Sequence, residues 1–179
     1  MKHTDFLPHY EQFKHKIYSY LYYRSGKNRE LAEDLTSEVF LKALEKFHTF
    51  KKDSSFQSWI YAIAHNHLVD HFRKDKGSTI DLDIVENVVV SEGDVKSILK
   101  RRVAAEQVEH LLEFLSDEEK EIVLLRYRQQ LPMKDIADIV GKAEATIRVI
   151  IHRALAKLKK RYAAIYISIL FFFTFLLNI

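Results

Sequence analysis

Apolar residues recur at three- and four-residue steps through most of this chain, and only four Gly and two Pro interrupt its 179 residues. That leaves little room for hairpin turns, and Leu, Ile, Ala, Lys and Glu at helical spacing predict an all-α fold. Phe6, Tyr10, Phe13, Ile17, Tyr20 and Leu21 mark a first helix within residues 6–24, which Ser25, Gly26, Lys27 and Asn28 end. A second helix, about 29–47, has one seam at Leu35, Val39 and Ala43 and another at Thr36, Phe40, Leu44 and Phe47. Its remaining face carries Asp34, Glu38, Leu41 and Glu45, at steps of four, three and four. An apolar residue ringed by acids suits a docking patch, and a solvated face with one stray Leu fits the same residues.

A third helix is expected from about Ser55 to Lys76, capped by Ser54 or Ser55. Trp59, Ile63, Asn66, Asp70 and Arg73 share a narrow stripe that grades from apolar to polar. The aromatics Phe56, Trp59, Tyr61 and Phe72 and the bases Arg73, Lys74 and Lys76 are of the types that stack on and neutralise single-stranded nucleic acid. Residues 77–95 read as an extended linker in which Asp81, Asp83, Glu86, Glu92 and Asp94 face no base. The helical pattern resumes at Lys96, and Ser116 with Glu119 forms a capping box for a helix carrying Ile122, Val123, Leu125 and Tyr127.

The stretch from Pro132 to Arg161 reads as a helix, a tight turn at Gly141 and a longer basic helix. Pro132 suits a helical first turn, Ile136, Ala137 and Val140 follow at helical spacing, and Ile147, Ile151, Ala154, Leu155 and Leu158 make the second helix's packing stripe. The other faces set Lys142, Arg148, Arg153, Lys157, Lys159, Lys160 and Arg161 against one acid, Glu144. A helix-turn-helix of this charge is shaped for the DNA major groove, with cations on phosphates and N-terminal residues near base edges. A helical hairpin with a solvated basic face fits the same pattern.

Enzyme chemistry finds no footing. His65, His67, Asp70 and His71 invite a metal, since His67 and His71 face the same way, but no Glu follows His67 and no distant third ligand is evident. Gly-rich phosphate loops, nucleophile elbows and paired carboxylates are missing too. No catalytic residue, metal or cofactor is expected. The absence of Cys suits a reducing compartment, and Met1 to Tyr20 lacks the apolar core of a signal peptide.

Two blocks carry a resemblance. AEDLTSEVFLKALEKF followed by FQSWIYAIAHNHLVDHFRK resembles region 2 of bacterial RNA polymerase sigma factors, and LSDEEKEIVLLRYRQQLPMKDIADIVGKAEATIRVIIHRALAKLK resembles their region 4. The lack of other regions points to the small extracytoplasmic-function branch. The resemblance implies two small helical domains, residues 6–76 and 96–161, joined by the acidic linker 77–95 and followed by a hydrophobic tail, 162–179. It implies that Asp34, Glu38, Leu41 and Glu45 dock on core RNA polymerase, and that Phe56, Trp59, Asn66, Arg73 and Lys74 capture the promoter −10 strand. Lys142, Glu144, Thr146, Arg148, Val149, Ile150, His152, Arg153 and Lys157 would read the −35 duplex. An anti-sigma factor is a further implied partner, and an envelope or stress response the implied setting. Pro132, Ala143, Val149 and Ile150 depart from the family pattern, so its promoter sequence does not transfer.

A stand-alone regulator that binds duplex DNA without polymerase is the rival reading, and a nuclease built on the His cluster a weaker third. The tail AAIYISILFFFTFLLNI departs most from the family, with seventeen uncharged residues after Lys157, Lys159, Lys160 and Arg161. Its length sits at the lower limit of about 17 residues for a membrane span. The expectation is a cytoplasmic protein tethered through residues 163–179 to the inner face of the cytoplasmic membrane. An extra helix on region 4, an interfacial segment and a frameshifted end compete with that reading.

Overall fold

The structure, a computed structural model, describes residues 5–51, 54–75 and 110–177, with side chains as far as 74 and 162 in the last two stretches. Helices and turns account for these residues, and no strand occurs among them. The linker expected at 77–95 lies outside them. They fall into two compact units, one drawn from Met1–Glu86 and Leu124–Ile147, the other from Asn87–Val123 and Arg148–Ile179.

In the first unit, α1 spans Leu7–Arg24, α2 Arg29–Lys46 and α3 Phe56–Asp75. Helix α1 ends where Gly26 and Lys27 take positive φ, and Lys27 N–H returns to the Tyr22 carbonyl at 2.9 Å. Asn28 then caps α2 by accepting the Leu31 N–H at 3.0 Å. For α3 the cap is Ser55, whose Oγ accepts the Ser58 N–H at 3.3 Å. Phe13, Ile17, Tyr20 and Leu21 of α1, Leu35, Val39, Phe40 and Ala43 of α2, and Ile60, Tyr61, Ala64 and Leu68 of α3 are all buried.

One end of this bundle is aromatic. A 3₁₀ turn, Phe47–Thr49, brings Phe47 and Phe50 against Phe6, His9 and Phe56. The His9 ring stacks on Phe56 at 4.1 Å, and Phe13 and Trp59 each approach Phe56 at 5.4 Å. Each such pair contributes about 0.5–1.5 kcal/mol beyond its burial.

The same unit takes in the segment that opens the helix-turn-helix. A π-helical turn, Leu124–Arg128, closes with Gln129 N–H on the Leu124 carbonyl at 3.0 Å, and Gln130 turns the chain at φ 58°. The Tyr61 hydroxyl donates to Gln129 Oε1 at 2.6 Å inside the core, and Gln57 Nε2 donates to the Gln129 carbonyl at 2.6 Å. Burial pushes the Tyr61 hydroxyl's pKa up, so it stays a donor at any physiological pH. Helix α5, Met133–Val140, packs on α3 with Ser58 Oγ donating to Asp135. Pro132 sits just before α5, at φ −65° and ψ 153°, rather than in its first turn. Gly141 ends α5 at φ 68°, with its N–H on the Ala137 carbonyl, a conformation that costs a residue with a Cβ about 1–2 kcal/mol.

In the second unit, α4 spans Asp117–Val123, and α6 spans Glu144–Leu177, its first four residues belonging to the first unit. The Ser116–Glu119 capping box forms in both directions, at 3.0 and 3.3 Å. Ile147, Ile151 and Ala154 are buried and Leu158 is half-buried, but Leu155 is 41% exposed, against expectation. At 100° per residue Leu155 lies about 80° from Ile147, at the edge of the stripe. The backbone of α6 runs unbroken to Leu177. Among the described residues no helix is long and apolar enough to cross a membrane.

Candidate polymerase and promoter surfaces

Burying Leu35, Val39 and Ala43 turns the opposite arc of α2 outward, and Asp34, Glu38, Leu41 and Glu45 are all exposed on it. They occupy about 60° of arc at 100° per residue. Leu41 is 62% exposed, the highest value among the large apolar side chains of the described residues. Behind this face His67 of α3 places Nδ1 2.6 Å from Lys42 Nζ and Nε2 2.6 Å from Glu38 Oε2. Sequence reasoning weighed His67 only as a metal ligand. The signal for its true neighbours is the one-turn spacing of Glu38 and Lys42 on the helix beside it.

On α3 the expected single-strand residues divide. Asn66, Arg73 and Lys74 are exposed and Trp59 is half-buried. Trp59, Asn66 and Arg73 fall within about 40° of arc, one open stripe. Arg73 Nη2 pairs with Asp70 Oδ1 at 3.0 Å, a surface contact weak enough to exchange for a phosphate. Phe56 does not join them. It is 7% exposed, rotated about 80° from Asn66 and enclosed by the aromatic cluster, so its ring is core and cannot meet a base without opening that cluster.

On the helix-turn-helix, Lys142, Thr146, Arg148, Val149, His152 and Arg153 are exposed, and Glu144 and Ile150 are half-buried. Lys157 has another task. Its Nζ donates to both Glu119 oxygens, at 2.7 and 2.8 Å, which ties α6 to the capping box of α4. The hydrogen bond from Lys157 is the main cause holding the Glu119 carboxyl below its ordinary pKa, and the Ser116 N–H adds to it. Lys157 is therefore a fold contact first, where sequence reasoning made it a phosphate contact. Among the described residues no group of three or more His, Asp or Glu side chains is placed to hold a metal ion.

Residues 9–78 match the Sigma-70 region 2 family and residues 111–160 the Sigma-70, region 4 family. The chain is 32% identical over 163 residues to the RNA polymerase sigma factor YlaC of Bacillus subtilis, covering 89% of this chain and 94% of that one. This chain belongs to the sigma-70 family, in its ECF branch. It is also 33% identical over 159 residues to the ECF RNA polymerase sigma factor BldN of Streptomyces coelicolor, which spans 84% of this sigma factor and 58% of the relative. In fold it is similar to the sigma factor RpoE of Bartonella quintana, solved in complex with the anti-sigma factor NepR. There the TM-score is 0.69 at 21% identity, over 87% of this chain and 95% of that one. Family membership favours transcription initiation over the stand-alone regulator.

The burial of Phe56 separates core from contact experimentally. Phe56→Ala should cost about 3–5 kcal/mol in denaturant unfolding. Phe56→Leu, which refills most of the volume, should recover most of that stability and support promoter opening in holoenzyme at near the wild-type level. A stable Phe56→Leu protein that fails to open promoters would return the ring to the −10 strand.

Proposed function

We propose that this sigma factor binds core RNA polymerase through Asp34, Glu38, Leu41 and Glu45, and directs promoter-specific initiation without chemistry of its own. The observation that carries the docking surface is Leu41, a large apolar side chain held outward between carboxylates on a helix whose opposite face is core. Such a patch joins a desolvated anchor to a charged rim, the arrangement that concentrates binding energy. We assign residues 6–76 to region 2, 77–95 to an acidic linker, 96–161 to region 4 and 162–179 to the tail.

The stripe of Trp59, Asn66 and Arg73, with Lys74 beside it, suits a base that leaves a melting strand. Trp59 offers an aromatic face, Asn66 donors and an acceptor for a base edge, and the two cations neutralise phosphate. On the −35 duplex, Lys142, Arg148 and Arg153 suit phosphates, whereas Thr146, Val149, Ile150 and His152 suit groove contacts. Val149, 48% exposed, fits a thymine methyl. Glu144, near the start of α6, can accept from a cytosine amino group. Lys157 stays with Glu119. An anti-sigma factor is a proposed partner of the same surfaces.

The docking surface is tested by Leu41→Glu combined with Glu38→Lys. The double variant should keep its helical circular dichroism and melting temperature yet no longer co-elute with core polymerase. Unchanged co-elution would refute the assignment. Two substitutions are used because rim charges alone contribute little.

The protein works where polymerase works, in the cytoplasm. Attachment of residues 163–179 to the inner face of the membrane is a separate proposal, supported by their uncharged sequence behind a cluster of cations. The full chain should then sediment with membranes and resist alkaline carbonate, while a chain stopped after Tyr162 stays in the supernatant. A full-length chain that remains soluble and monomeric without detergent would overturn it.

A further inference from the structure

Behind the docking face of α2 lies a histidine to which the functions above give no role. His67 is 8% exposed, and each of its ring nitrogens meets a charged atom of α2. An ammonium only donates, so Nδ1, 2.6 Å from Lys42 Nζ, must carry the lone pair. The single ring proton of the neutral form is then on Nε2, towards Glu38. That approach, 2.6 Å to Oε2, is short but lies off the axis of a good hydrogen bond, so the carboxylate rests beside the ring edge. Glu38 and Lys42 stand one turn apart, where they would ordinarily pair with each other alone. Here both reach the same buried imidazole.

We propose that His67 is a positioning residue for polymerase docking: as a neutral ring it accepts from the Lys42 ammonium and fixes it on α2 beside Glu38, and protonation undoes that contact. The proposal rests on the reading of α2 as the docking face. The bare Nδ1 of a neutral imidazole can accept from the ammonium, while the Nε2 edge lies against the carboxylate. A second proton would put N–H against the Lys42 ammonium at 2.6 Å, replacing an attraction with repulsion.

The groups acting on the ring are Glu38 and Lys42 from α2 and His71 from its own helix. Burial comes first in lowering its pKa, Lys42 and His71 lower it further, and Glu38 opposes them. The folded value therefore lies below the ordinary 6.5, the ring is neutral at pH 7, and the contact is intact there. As pH falls from about 6.5 towards the folded value, the unfolded state binds more protons and the contribution is lost.

Affinity of the full chain for purified core polymerase, measured at about pH 7.5 and about pH 5, with circular dichroism confirming that the chain is folded at both, tests this. Wild type should bind more weakly at the lower pH, by about threefold or more. His67→Gln, whose amide supplies a donor and an acceptor but does not titrate, should keep near-neutral affinity and lose the pH dependence. His67→Leu should be weakened at both values. A His67→Gln profile that falls with pH as steeply as wild type, or a flat wild-type profile, would overturn the proposal. If His67→Leu fails to fold, His67→Gln still decides. Leu41→Glu is run alongside: if it binds as wild type does, the docking reading itself has failed, and if it weakens binding while the His67 series is flat, only the positioning role has failed.

Discussion

The aromatic cluster at one end of α1, α2 and α3 is the constraint on which the first unit depends. Phe6 enters it from before α1, Phe47 and Phe50 from the turn after α2, and Phe56 from the first turn of α3. Because these rings join three helices at their ends, the rotation of α2 about its own axis is no longer free. Leu35, Val39 and Ala43 must face inward, and Asp34, Glu38, Leu41 and Glu45 are turned out as a consequence. The exposed Leu41 is then part of a surface whose orientation the core dictates.

Helix α3 serves three neighbours around its circumference. Its inner side carries Ile60, Ala64 and Leu68 into the core, and its start holds Gln129 and Asp135 through Gln57, Tyr61 and Ser58. Its open stripe carries Trp59, Asn66 and Arg73, the residues proposed to meet a nucleic acid strand. His67 sits between these duties, reaching back to α2 at Glu38 and Lys42. A helix so fully engaged has little freedom to shift, which keeps Trp59 and Asn66 in fixed register with each other.

Much of this was legible in the sequence. Periodicity marked α1 and α2 to within a residue or so, the cap of α3 was narrowed to Ser54 or Ser55, the Ser116–Glu119 box was visible, and the acidic face of α2 could be read from its steps. These features are local, set by contacts three or four residues apart. What the sequence hid depends on distant partners. Phe56 looks like a stacking residue until His9 and Phe50 are found around it, and Lys157 looks like a phosphate contact until Glu119 occupies it. Leu155 lies at the margin of its stripe, where periodicity alone cannot decide burial. The pairing of Tyr61 with Gln129 spans 68 residues and leaves no local trace.

The central claim is that this chain gives core polymerase a promoter preference that neither has alone. The direct measurement is transcription from a pool of genomic fragments by core polymerase with and without the purified chain, with the 5′ ends of the transcripts mapped. The account predicts new start sites that share one −35 and one −10 pattern at fixed spacing and vanish when the chain is omitted. Starts indistinguishable from those of core polymerase alone, or specific duplex binding by the chain that polymerase does not alter, would contradict it.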